Sequence, residues 1–171
     1  MKTRDIALIA VFAALWVTAE TTLGPWIGRF RIGLFSLHGM VNRVVGWMSM
    51  LIVAEVAGRF GRASMMSLVA AMGTRIIRIS PLEGLLVGAG YALGGLIFDI
   101  LFFTPLARRL GETRRRLYLL LASTISGALA IAPYLAFKLW ILGLYPFIAL
   151  SPTYAISTIK GILFNIVGTS L

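Results

Sequence analysis

The sequence predicts an all-α membrane protein: one domain, a six-transmembrane-helix bundle, with N- and C-termini cytoplasmic. Three observations predict it. Of the 171 residues, 59% are hydrophobic and 13% charged, against roughly 45–50% and about 25% in soluble domains. The apolar residues gather in runs that suit helices of about 20 residues, the length that crosses the hydrocarbon core. Lysine and arginine are shared unevenly between alternate connections, as the retention of basic loops on the cytoplasmic side requires.

The spans are expected at about 5–23, 38–58, 63–79, 82–107, 117–143 and 153–171. Lys2 and Arg4 precede the first run as in a signal peptide, but no clean small-residue cleavage site precedes Gly24-Pro25, so it reads as a membrane helix. Residues 24–37, with Trp26, Phe30 and Phe35, form a long apolar connection expected to lie in the interface or fold over the protein. Arg59-Phe60-Gly61-Arg62 reads as a tight turn, and the third span is short and interrupted by Arg75. Ser80-Pro81 opens the glycine-rich fourth span, proline being tolerated in a first helical turn. The uncharged stretch 144–152, with Pro146 and Pro152, reads as an outer loop before the last span.

Placing the N-terminus inside assigns Lys2, Arg4, Arg59, Arg62, Arg108, Arg109, Arg114, Arg115 and Arg116 to the cytoplasmic side and Arg29, Arg31, Arg75 and Arg78 to the outer side. That bias sets the orientation and favours an even number of spans. It also accounts for the net charge of +10 without nucleic acid as a partner: the arginine cluster at 108–116 reads as a loop facing anionic lipid.

The chain has no cysteine and one histidine, His38. Disulfides, thiolate metal sites, cysteine nucleophiles and histidine-cluster metal sites are therefore excluded. No P-loop, HExxH or GxSxG is present, and no carboxylates are paired at catalytic spacing. An enzyme is not expected, nor a cofactor.

The informative residues are ionisable groups at membrane depth: Glu20, Arg43, Glu55, Glu83, Asp99, Lys138 and Lys160. Each costs a few kcal/mol at a helix centre, so each must face a partner, a cavity or the headgroups. Glu83 has two open readings, an ion pair with Arg75 or Arg78, or contact with a cationic or amide-bearing ligand. Asp99 pairs with Arg43 or snorkels toward Arg108. Asn42 and Asn165 need hydrogen bonds inside the bundle. Tyr134, Trp140, Tyr145 and Tyr154 gather near the outer ends of the last two spans; they form either an interfacial girdle or the walls of a pocket for a flat heterocycle. Ala10 and Ala14 share one face of the first span, a small-residue face that lets another helix approach closely, within the protein or outside it. Gly84 with Gly88 and Gly90 with Gly94 repeat the pattern and place the fourth span centrally.

Taken together, the size, the opening ALIAVFAALWVTAE with Ala10 and Ala14, the long apolar connection 24–37, the short third span and the run PLEGLLVGAGYALGGLIFDILF resemble the substrate-binding S component of an energy-coupling-factor (ECF) vitamin transporter. The resemblance covers nearly the whole chain. It implies a cell-membrane protein that binds a vitamin or vitamin precursor in an outward-facing pocket. Its implied partners are a membrane coupling subunit and two cytoplasmic ATPase subunits. By the same resemblance Ala10 and Ala14 form the docking face, and Trp26, Phe30 and Phe35 lie on a gate loop. The implied substrate-binding residues are Glu83, Tyr91, Tyr134, Lys138, Trp140 and Tyr154. Pro81-Leu82-Glu83-Gly84 is loosely similar to thiamine- or hydroxymethylpyrimidine-type components. Two other classes compete: a membrane scaffold of the MreD type, which takes no small ligand, and a self-sufficient small carrier, against which the lack of a visible inverted repeat counts.

Overall fold

The structure, a computed structural model, describes residues 2–32, 35–37, 39–77 and 82–170, without the side chains of 31–36, 77, 83 and 108. His38, Arg78 and the Ser80-Pro81 step lie outside the described residues, as do the side chains of Phe35, Glu83 and Arg108.

Among the described residues the chain is helical apart from short connections and one small hairpin. The helices are α1 (Thr3–Ile27), α2 (Met40–Ala57), α3 (Arg62–Ile77), α4 (Leu82–Phe102), α5 (Pro105–Arg109), α6 (Glu112–Leu129), α7 (Ala132–Leu142) and α8 (Leu144–Ser170). Five stretches are long and apolar enough to cross a membrane: Thr3–Ile27, Met40–Ala57, Gly84–Phe102, Glu112–Leu142 and Leu144–Ser170. The sixth expected span, α3, has 16 residues, about 24 Å of helix against the roughly 30 Å hydrocarbon thickness. It packs against α1, α2 and α4 inside the bundle.

Proline and glycine set the boundaries, and here the structure departs from the sequence expectation. α1 continues through Pro25 to Ile27. It is followed by a hairpin of β1 (Arg31–Ile32) and β2 (Phe35–Ser36), paired antiparallel with Ile32 opposite Phe35. The connection expected as an irregular loop is therefore part helix, part hairpin. Between α2 and α3 the chain turns over Gly58 and Gly61, both left-handed at φ 61° and 87°, a conformation glycine adopts without penalty. α4 stops at Phe102 rather than 107, because Thr104 precedes Pro105 and takes an extended ψ of 139°, as a residue before proline must. The expected span 117–143 is two helices. Pro133 stands in the first turn of α7; it has no N–H for a carbonyl four residues back, and its ring would crowd that turn. α8 takes in the expected loop 144–152: Pro146 falls in its first turn, and Pro152 inside it forfeits one backbone bond.

The core is small and centred on α2. Trp47, Met50, Val53, Ala54, Ala63, Met66 and Phe98 are buried completely, with Trp16 nearly so. Small residues allow this. Gly46 lies against the indole of Trp16, Gly94 near the Trp47 ring, and Gly95 against Ser67. Around the core the outer surface is apolar: Val11, Leu15, Met72, Ile100, Leu121, Ile148, Ile159 and many others are exposed. A soluble monomer rarely presents such contiguous apolar surface, whereas lipid solvates it.

Charged side chains collect at one end. Asp5 pairs with Arg62 at 3.2 Å, Arg115 with Glu55, and Arg116 with Glu112 at 2.6 Å. Asp99 belongs to this end too. Its Oδ2 accepts from the Ser64 backbone N–H at 2.7 Å and the Ser64 hydroxyl at 2.5 Å; among the described residues it is not paired with Arg43, and the Arg108 side chain lies outside them. Asp99 is wholly buried and caps the first turn of α3 from the neighbouring helix, meeting orphan N–H groups with a negative charge.

Candidate functional site

At the opposite end the helices diverge around a cavity of about 440 Å³. Helices α1, α2, α3, α4, α7 and α8 and the break after α6 contribute to its wall. α1 supplies Glu20 and Gly24; Gly39, Asn42 and Arg43 come from the start of α2; Arg75 ends α3; Val87 and Tyr91 come from α4. The break between α6 and α7 supplies Ala130, Ile131 and Tyr134, and α8 supplies Ser157 and Lys160. Non-helical backbone at membrane depth is tolerated where it lines such a cavity. The break also lets the Ala130 carbonyl lie directly against Gly90 of α4, a position with no room for a Cβ.

Arg43 is the best-defined member. Its guanidinium carbon sits 5.9 Å from the ring centroids of both Trp47 and Tyr91, within cation–π range. Gly161 on α8 makes room for it: a Cβ there would come within 2.6 Å of the guanidinium carbon. The Asn165 amide, wholly buried, donates to the Gly161 carbonyl at 3.0 Å and accepts from Arg43 Nη1 at 3.3 Å. Asn42 accepts a hydrogen bond from Trp16 Nε1, and Trp47 Nε1 donates to Ser126 Oγ at 3.2 Å. Behind the wall, in the core, lies a tryptophan pair, each ring held by one polar bond. Tyr91 stands edge-on to both, with centroids 5.7 Å and 6.3 Å away.

Arg75 packs against Gly88, its Nε 3.4 Å from where a Cβ would stand. That Nε is buried with no hydrogen-bond partner among the described residues. Among those residues the three ion pairs all lie at the far end, so none of Arg43, Arg75 and Lys160 is ion-paired within them. The described wall holds three cations and one carboxylate, Glu20, which is 8% exposed.

Of the residues expected to bind substrate, Tyr91 and Tyr134 line the cavity. Tyr154 and Lys138 do not; they pack on Tyr134, at 6.5 Å between ring centroids and 5.5 Å from Nζ to the ring. Trp140 is 81% exposed and is not brought to the wall. Glu83 lies in the first turn of α4, and its side chain is outside the described residues. Gly24 and Gly39, at the two ends of the connection that carries Trp26 and Phe30, both reach the cavity. Trp26 and Phe30 stack edge-on at 5.3 Å and are largely exposed.

Glu20, Asn42, Arg43, Arg75 and Lys160 were the wall residues that sequence reasoning did not assign to a site. For all but Asn42 the signal was present: an ionisable side chain at membrane depth is a functional candidate by default. What was missing was their convergence. On α1, Ala10 and Ala14 face outward and are exposed, whereas Ala13 is 2% exposed and packs in the core.

The fold and the cavity define a class, a helical membrane protein with a polar, ligand-sized chamber at one end. No protein-family model, curated protein or solved structure matches this chain.

Proposed function

We propose that this chain is the substrate-binding S component of an ECF-type importer in the cell membrane. In this reading α3 is a sixth, short crossing, both termini are cytoplasmic, and the cavity opens outward. The observation that carries it is the cavity itself: about 440 Å³, within the range of small-molecule sites, at the end away from the paired surface charges. A scaffold gains nothing from a chamber walled by costly ionisable groups.

The ligand is a vitamin or vitamin precursor of the thiamine or hydroxymethylpyrimidine kind. Tyr91 and Tyr134 supply aromatic walls for a flat ring, and Glu20 supplies a carboxylate for an exocyclic amine. Trp26, Phe30 and Phe35 form the gate, on the connection rooted at the cavity rim by Gly24 and Gly39. The outward small-residue face of Ala10 and Ala14 docks the membrane coupling subunit, which joins two cytoplasmic ATPase subunits. Close helix packing without a hydrophobic drive needs such a face.

The test is ligand release. Protein purified alone from expressing cells, denatured and scanned by mass spectrometry, should yield a vitamin-sized heterocycle in near-stoichiometric amount, and Tyr91→Ala should abolish its recovery. Reconstituted alone it should not accumulate that compound in liposomes; with the partner subunits and ATP it should. Uptake by the lone chain would make it a carrier. Failure to retain or bind any compound from a vitamin panel would favour the scaffold.

A further inference from the structure

The cavity wall carries more positive charge than the ring-binding role requires. Three cations reach it, and Glu20 is the one carboxylate on the described wall. A charged group at membrane depth that lacks a counter-charge is costly. The chain nevertheless makes specific room for one of them: Gly161 vacates the space taken by the Arg43 guanidinium, while Arg75 packs on Gly88 in ordinary contact. Lys160, next to Gly161 in the chain, reaches the same chamber from α8.

The bonding of these cations is incomplete. Among the described residues Arg43 donates to Asn165 at 3.3 Å and to the Tyr91 hydroxyl, which leaves others of a guanidinium's five donors free for a ligand. Arg75 Nε is buried without a partner. A guanidinium seated in a glycine notch beside aromatic rings, as Arg43 is, presents a rigid fork that matches the two oxygens of a carboxylate or phosphate. Asn165 and the Gly161 notch position Arg43 without neutralising it.

We infer that the ligand bears an anionic group, a carboxylate or a phosphate, held between Arg43, Arg75 and Lys160 while its ring lies against Tyr91 and Tyr134. The inference rests on the binding role proposed above and narrows it: the heterocycle is taken up in its acidic or phosphorylated form rather than as a neutral or cationic compound. The anion completes the bonding of cations that no carboxylate pairs among the described residues, so one end of the ligand is held at their side of the wall.

The experiment is equilibrium binding to the purified full chain in nanodiscs, with matched pairs that differ only in the anion. The probes are hydroxymethylpyrimidine and its phosphate, thiamine and thiamine monophosphate, and nicotinamide and nicotinate, with inorganic phosphate alone. The anionic member of at least one pair should bind at least about tenfold tighter, consistent with one charge-assisted contact. Arg43→Gln and Lys160→Gln should each reduce that preference to under about threefold while circular dichroism and melting stay near the parent. Preference in the phosphate pairs, or in the carboxylate pair alone, identifies which oxyanion is read. Equal or tighter binding of the neutral or cationic members, still lost in Tyr91→Ala, overturns the anion inference and leaves the binding role intact. Absence of binding by every probe, with nothing retained on purification, overturns both. If Arg43→Gln fails to fold, the same preference measured in Lys160→Gln and Arg75→Gln decides.

Discussion

Asp99→Ala tests whether the buried carboxylate on α4 is a structural cap or part of the cavity chemistry. Asp99 Oδ2 accepts two hydrogen bonds from Ser64, at 2.7 Å from the backbone nitrogen and 2.5 Å from the hydroxyl. A hydrogen bond to a charged group contributes about 1.5–3 kcal/mol, and loss of a helix cap costs about 0.5–2 kcal/mol. These terms overlap. Removing the carboxylate also relieves Oδ1, which is buried without a partner among the described residues and costs about 1–3 kcal/mol as it stands. The net expectation is a loss of about 2–4 kcal/mol. For a chain of this length 1 kcal/mol moves the midpoint by about 2–4 °C, so the melt should fall by roughly 4–16 °C. Ser64→Ala removes the hydroxyl bond and keeps the backbone one, and should lose about 1.5–3 kcal/mol. The assay is thermal unfolding in mild detergent followed by far-ultraviolet circular dichroism, with ligand binding measured on each variant at low temperature. Asp99 lies eight residues beyond Tyr91, about 12 Å along α4, so binding should be unchanged. A melt within about 2 °C of the parent, or a lost binding signal with an unchanged melt, would refute the capping argument.

Gly90→Ala places a methyl on the Ala130 carbonyl; backbone on both sides leaves nothing flexible to move, and the melt should show a loss of about 1–3 kcal/mol. Gly161→Ala meets the mobile end of Arg43 instead, at 2.6 Å from its guanidinium carbon. Binding of the retained ligand should weaken several-fold with little change in the melt, a pattern opposite to Gly90→Ala. Ala10→Trp and Ala14→Trp change exposed positions on α1, so ligand binding by the lone chain should persist while co-purification with a coupling subunit and ATP-dependent uptake are lost. Intact assembly in both variants would exclude this face as the docking surface.

The helices themselves were legible because each depends on local quantities. A run of apolar residues of sufficient length forms a helix in lipid whatever its neighbours, since every backbone group must be satisfied within the segment. Glycine marked the turn at Gly58–Gly61, but proline misled at Pro146 and Pro152, and Pro133 was passed over. A proline in a first turn or inside a long helix removes one bond and need not end it, whereas Pro133 at the cavity does break the chain into α6 and α7.

The sequence by itself determined the solvent: an apolar bundle with a few ionisable groups at depth, and basic residues at the helix ends. Tertiary structure alone decided which of those groups share a space. Glu20 and Lys160 lie at opposite ends of the chain and meet one cavity, while Asp99, on the same helix as Tyr91, turns to Ser64 instead. It also decided that Ala13 faces the core and Ala10 the outside, two alanines three positions apart that composition cannot tell apart. The physical reason is that hydropathy sums along one helix, whereas burial, pairing and the shape of a cavity are set by the faces that several helices turn toward each other.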